Sequence, residues 1–260
     1  MSDELSKIRR YELKYTITET IASQIKDYIS NICFLDKHVP EGECGYTVNN
    51  LYFDTVDLRF YQDTKFRKLT RYKPRARYYG MKIGEFVWPE IKYRHGSIIW
   101  KNRHCIPVDC WPSLFYPELS DEKTCNVKQQ LNRFEEIIHW YDAQPVIHVR
   151  YFREPYVTQL ESYGRITFDR NLAYRQIYGS IDLNYLEKDM LYYDDPITTM
   201  NHQSPVLLEI KVETLVPQWT IKMIKKFNLV QRPFSKYCYG IDYIKHYLPS
   251  ARNAIYHSVI

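Results

Sequence analysis

The chain has 260 residues, 45% of them hydrophobic, enough to bury one sizeable core, and we expect a single domain over residues 1–260. Its net charge of +5 is unevenly placed: residues 59–103 hold thirteen Lys or Arg against three acids, a local net of +10, so the rest of the chain sums to −5. A concentrated field of this kind favours a polyanion, and the sequence carries no secretory core, no apolar run of membrane-spanning length and no CxxC pair among its six cysteines. These features argue against a disulfide framework or a thiolate zinc site and suit a reduced, cytoplasmic setting.

In chain order, Arg9 to Thr16 reads as a strand with Arg10, Glu12 and Lys14 on one face and Tyr11, Leu13 and Tyr15 on the other. Thr18 is placed to cap a helix whose Ile21, Ile25, Ile29 and Ile32 recur at helical spacing, with Glu19 in its first turn. Tyr46 to Asp54 is rich in β-branched and aromatic residues and predicts a strand; Asp57 to Lys68 reads as a polar connection or short helix.

The stretch Arg71 to Arg94 predicts a basic hairpin. Alternation puts Arg71, Lys73, Arg75 and Arg77 on one face of its first strand, and Glu90, Lys92 and Arg94 at same-parity positions of the second. Ser97 to Pro107 adds a strand with Lys101 and Arg103 in phase. Residues 109–145 predict an outer packing element, with a helix from about Lys123 to Tyr141 showing Leu131, Phe134 and Ile138 on one side.

Strands return at Pro145, where Tyr151 and Arg153 share parity, and around Arg165, Thr167 and Asp169 after a loop near Glu161 to Gly164. An acidic irregular segment with Asp194, Asp195 and Pro196 follows, then SPVLLEIKVE, in which Glu209 and Lys211 alternate with Leu208, Ile210 and Val212. The last two helices begin after Pro217 and near Ser235 and Lys236. The order predicts an α+β fold built around a large antiparallel sheet or barrel.

For any one strand, a charged face turned to water is an adequate account. Five or six strands doing the same is different. If the sheet closes, their charged faces converge in a polar lumen that must hold water or an anionic ligand, and the few carboxylates there suit a hard divalent ion.

The ordered set RYELKY, NLYFDT, RARYYG, EIKYR, WKNR, YFREPY, GRITFDRNL, LLEIKVE and PFSKYCYG resembles the catalytic domain of vacuolar transporter chaperone (VTC) polyphosphate polymerases, in the CYTH-like superfamily of triphosphate tunnel metalloenzymes. The resemblance runs from about Arg9 to Tyr247. It implies a closed antiparallel β-barrel forming a triphosphate tunnel with flanking helices, and transfer of the ATP γ-phosphoryl group to inorganic polyphosphate with Mn2+ or Mg2+. Carried over residue by residue, it implies catalytic roles for Arg75, Arg77, Lys92, Arg153 and Arg165, and phosphate binding by Lys14, Lys101, Arg103, Lys211, Ser235 and Lys236. Glu209 resembles the metal-binding glutamate, with Glu12 and Glu90 as further candidates for the metal or for orienting cations. Arg150 differs in parity from Arg153 and ranks lower, and a salt bridge to a wall arginine is at least as good an account of Asp169 as a ligand role.

One departure is Arg10, which stands where the wider superfamily has the first of two glutamates. The shift leaves fewer carboxylates for metal and favours a longer phosphate chain over hydrolysis. The resemblance is to a compact, stand-alone form of the domain, for which any membrane contact is expected through a partner protein. The rival readings are a tunnel phosphohydrolase acting on tripolyphosphate or a nucleoside triphosphate, and a non-catalytic module that holds polyphosphate or an inositol phosphate. Nucleic acid is disfavoured as a partner, because no recognised nucleic-acid motif accompanies the basic hairpin.

Overall fold

Strands dominate a computed structural model of the chain, which describes residues 11–96, 98–116, 132–158, 164–193, 205–212 and 216–247. Arg10, Ser97, Leu131 with the first half of its expected helix, the loop near Glu161 and the acidic segment at Asp194, Asp195 and Pro196 lie outside the described residues. In chain order the elements are β1 (Tyr11–Ile17), α1 (Glu19–Ile29), β2 (Cys33–Leu35), β3 (Tyr46–Asp54), α2 (Arg59–Lys65), β4 (Thr70–Tyr79), β5 (Phe86–His95), β6 (Ile98–Arg103) and β7 (Ile106–Pro107). There follow α3 (Asn132–Trp140), β8 (Gln144–Thr158), β9 (Gly164–Gln176), β10 (Leu191–Tyr192), β11 (Val206–Val212), α4 (Gln218–Lys226) and α5 (Lys236–Tyr247).

The chain forms two compact units, each assembled from three segments: Met1–Tyr46, Tyr151–Leu172 and Asp194–Phe234 in the first, and Thr47–Arg150, Ala173–Tyr193 and Ser235–Ile260 in the second. The long strands β8 and β9 contribute residues to both.

In the first unit the strand order is β1-β11-β9-β8, and β2 pairs with the end of β8. Alternation sends Tyr15, Ile17, Ile166, Phe168, Val206, Leu208, Ile210 and Val212 into one apolar cluster, covered by Ala22, Ile25 and Ile29 of α1 and Met223 of α4. Each isoleucine so buried stabilises the fold by about 1.5–3 kcal/mol. Thr18 caps α1 as expected, its hydroxyl accepting the Ile21 N–H at 3.3 Å.

In the second unit the order is β8-β3-β4-β5-β6. Its core joins Leu51 and Phe53 of β3, Ala76 and Tyr78 of β4, and Val87 and Ile91 of β5 to Phe134 and Ile138 of α3 and to Trp111. The Phe53 ring meets Trp111, Phe115 and Phe134 at centroid distances of 5.5–6.1 Å. The segment expected to pack outside the sheet therefore does so.

The hydrogen-bonded path among the described residues begins at β1 and ends at β6, and no ladder among them joins these two strands. One expectation needs correction: Cys110 is disulfide-bonded, against the expectation of reduced thiols, while Cys33, Cys44, Cys105 and Cys238 form no disulfide.

Candidate functional site

Antiparallel register aligns the charges of the second unit into cross-strand rows. Arg75 of β4 lies opposite Glu90 of β5, which lies opposite Arg103 of β6; the next row is Lys73, Lys92 and Lys101, and the next begins with Arg71 opposite Arg94. Like charges placed directly opposite destabilise a sheet. A face that serves only solubility mixes its signs, whereas this one stacks them, and that arrangement suits a polyanion.

Glu90 anchors the row above the lysines. It is 1% exposed, with one oxygen 2.6–2.7 Å from the Arg75 guanidinium and the other 3.0 Å from Lys101 Nζ and 3.2 Å from Arg103 Nε, while Arg77 stands 4.0 Å away. Burial opposes its ionisation, but Arg75, Arg77 and Lys101 outweigh that and hold the carboxyl far below the usual range. Burial also pushes Lys101 down to about 7, against the pull of Glu90. The arginines are aimed by neutral partners: Arg75 donates to Tyr52 at 3.0 Å, Arg77 to the Asn50 side-chain oxygen at 2.8 Å and Arg103 to Tyr79 at 3.0 Å, with the Trp88 ring 5.1 Å from the Arg103 guanidinium. Lys73 donates to Ser235 Oγ at 3.2 Å, and that oxygen accepts the Cys238 N–H at the start of α5, next to Lys236.

The first unit holds a second charged set. Register gives a row of Glu12, Lys211 and Arg165, and a row of Lys14, Glu209 and Thr167. Lys14 Nζ lies 2.9 Å from Glu12, and Lys211 Nζ lies 2.9 Å from Glu209. Arg153 makes a two-pronged pair with Asp169 at 2.7 and 2.8 Å and approaches Glu209 at 3.8 Å. Arg165 pairs with Asp36 at 3.0 Å and donates to Tyr46 at 3.2 Å. Glu209 is 7% exposed; burial disfavours its charge, and Lys211, Lys14 and Arg153 together restore it.

Glu12 adjoins Glu209 and adds to the lowering of its pKa. Beside them the buried Thr167 hydroxyl has no hydrogen-bond partner among the described residues. A hard divalent cation takes oxygen ligands, and these two carboxylates can offer them, with the rest of the coordination left to phosphate and water. Among the described residues no group of three His, Cys, Asp or Glu forms a cage. Glu90 fits a metal poorly, because both of its oxygens already face cations; its geometry matches the orienting role instead.

The structure thus gathers Arg75, Arg77, Lys92, Lys101, Arg103, Glu90, Ser235 and Lys236 in one unit, and Glu12, Lys14, Arg153, Arg165, Glu209 and Lys211 in the other. Asp169 serves Arg153 as a counter-ion. Arg150, itself buried, turns to the half-exposed Glu187 and to Tyr185 and Tyr192. Lys73, Tyr52, Asn50 and Thr167 were not singled out as site residues. The parity of Lys73 with Arg75 is the signal that places it, whereas the neutral partners become visible only through strand register.

The VTC domain model matches residues 9–245. The chain belongs to the VTC domain family. Solved structures similar to this VTC chain include a candidate adenylate cyclase from Bacillus halodurans, 12% identical with a TM-score of 0.48, covering 93% of this chain and 100% of the other. A second candidate adenylate cyclase, from Vibrio parahaemolyticus, is 9% identical with a TM-score of 0.43, covering 88% of this chain and 96% of the other. No curated protein matches the VTC chain. No helix among its described residues is long and apolar enough to cross a membrane.

Proposed function

We propose that this VTC chain is a metal-dependent polyphosphate polymerase that transfers the γ-phosphoryl group of ATP to a growing inorganic polyphosphate chain. The observation that carries the reading is the row of Lys73, Lys92 and Lys101 beside the row of Arg75, Glu90 and Arg103, a cation array repeated along the strands as phosphates repeat along a polymer. Phosphoryl transfer needs positioning and charge neutralisation more than covalent chemistry, and arginines pre-aimed by Glu90, Tyr52 and Asn50 supply both without reorganising.

Glu12 and Glu209 would hold Mn2+ or Mg2+, which when bound neutralises phosphate charge and orients the nucleotide. Within the first unit Lys14, Lys211, Arg153 and Arg165 hold the neighbouring phosphate oxygens; within the second, Ser235 and Lys236 supply donors at a helix start, where anions are favoured. Glu90 faces four cations and Glu209 three, so neither is a base of ordinary strength for activating water. That favours the terminal phosphate of the polymer, already an anionic nucleophile, over hydrolysis.

The test is to measure ADP and orthophosphate in parallel during turnover of ATP with Mn2+. The reading expects ADP without matching orthophosphate, and loss of both in Glu209→Ala and in Arg75→Ala while circular dichroism shows an intact fold. Equal yields of ADP and orthophosphate would identify a phosphohydrolase, and full activity in both variants would remove these residues from the site.

A further inference from the structure

Two features meet at the end of the β5-β6 hairpin. The first is a group of arginines with no carboxylate counter-ion among the described residues. Arg71 lies opposite Arg94 in register, and Arg67 is close enough that it and Arg94 both depress the Arg71 pKa, after burial. Arg94 Nε donates to the Gly96 carbonyl at 2.8 Å, and no carboxylate pairs with Arg67, Arg71 or Arg94 among the described residues. The neighbouring Lys68, by contrast, is neutralised by Asp63 at 2.6 Å.

The second feature is exposed apolar surface around the same turn. Leu69 is 64% exposed, Ile98 53%, Ile99 44% and Trp100 49%. They are neighbours: the Gly96 N–H donates to the Leu69 carbonyl, and Ile98, Ile99 and Trp100 lie opposite His95, Arg94 and Tyr93. Trp100 ends a ladder of rings that begins under cover, with Phe60 to Tyr72 at 5.9 Å, Tyr72 to Tyr93 at 5.0 Å and Tyr93 to Trp100 at 4.9 Å. A covered ladder of aromatics therefore emerges into solvent at the same end of the hairpin as Arg71 and Arg94, on the opposite face of a strand that ends the hydrogen-bonded path among the described residues.

We infer that this hairpin end docks on the surface of an anionic phospholipid bilayer, Arg67, Arg71 and Arg94 engaging headgroup phosphates while Leu69, Ile98 and Trp100 enter the headgroup–acyl boundary. The charge selects an anionic partner. The apolar part selects an amphiphile over a free phosphate polymer, which has no use for Ile98 or Trp100. Tryptophan with aliphatic residues and flanking arginine is the chemistry of that boundary. An exposed apolar edge of this kind otherwise invites aggregation, and a bilayer surface covers it.

The experiment is sedimentation of the full chain with phosphatidylcholine vesicles, with and without added phosphatidylglycerol. The proposal expects retention only on the anionic vesicles, about fivefold weaker in Arg67→Gln and lost in the double variant Ile98→Ser, Trp100→Ser, with ATP turnover unchanged in both. Binding that survives the double variant undiminished would mean attraction through charge alone and would overturn it. So would no vesicle binding at all, including the case in which light scattering finds that these residues join two copies of the chain. Because the readout is vesicle retention, it succeeds or fails independently of whether the turnover product is polymer.

Discussion

On the proposed reading Glu90 serves a cationic surface without meeting the ligand. Four cations face its two oxygens, so the group fixes where their charges point and leaves a local excess of positive charge for phosphate. Glu90→Gln keeps the shape and removes the charge. Breaking a buried ion network by deleting one partner costs about 3–5 kcal/mol, so the thermal midpoint should fall steeply. Added polyphosphate should then recover more stability in the variant than in the wild type, because the ligand replaces the missing counter-charge. An unchanged midpoint, or equal recovery in both proteins, would show that Glu90 does not organise the row. The alternation of Arg75, Arg77, Glu90, Lys92, Lys101 and Arg103 was legible in the sequence, because parity is a local property. The sequence left Glu90 between a metal and an orienting role, since the choice depends on which residue of the neighbouring strand stands opposite.

At the scale of elements, β3 was expected over Tyr46 to Asp54 and spans those residues, and α1 starts at the expected threonine cap. The segment Asp57 to Lys68 was ambiguous for a physical reason. The residue before α2, Leu58, has a left-handed φ of 58° and offers no side-chain cap. The start of α2 is held instead by Asp54, at the end of the preceding strand, whose carboxylate accepts the N–H groups of Phe60 and Tyr61 at 2.8 Å each and a hydrogen bond from the Tyr237 hydroxyl. A cap reached over that distance leaves no spacing signal. Burial pushes Asp54 up to about 6 even though these donors oppose the shift. Its folded pKa exceeds its unfolded value, so the folded chain binds the extra proton, and this group's contribution to stability is present below about pH 4 and is lost as pH rises through about 6. Denaturant midpoints of Asp54→Asn should lack that slope between pH 4 and 6.5, and a slope identical to that of the wild type would contradict the assignment.

On the scale of the whole molecule, the α+β class and the antiparallel sheet followed from the strand count and periodicity, whereas closure did not. Closure depends on whether the two end strands meet, which no periodicity within a strand records. The family match over residues 9–245 agrees with the motif order read from the sequence. The central claim is that cations arrayed along the strands guide a polymer, and that phosphate is transferred to phosphate. The most direct measurement incubates the purified chain with γ-labelled ATP and Mn2+ and separates the products on a gel before and after exopolyphosphatase treatment. The account predicts a metal-dependent ladder that the exopolyphosphatase erases; labelled orthophosphate as the sole product would contradict it.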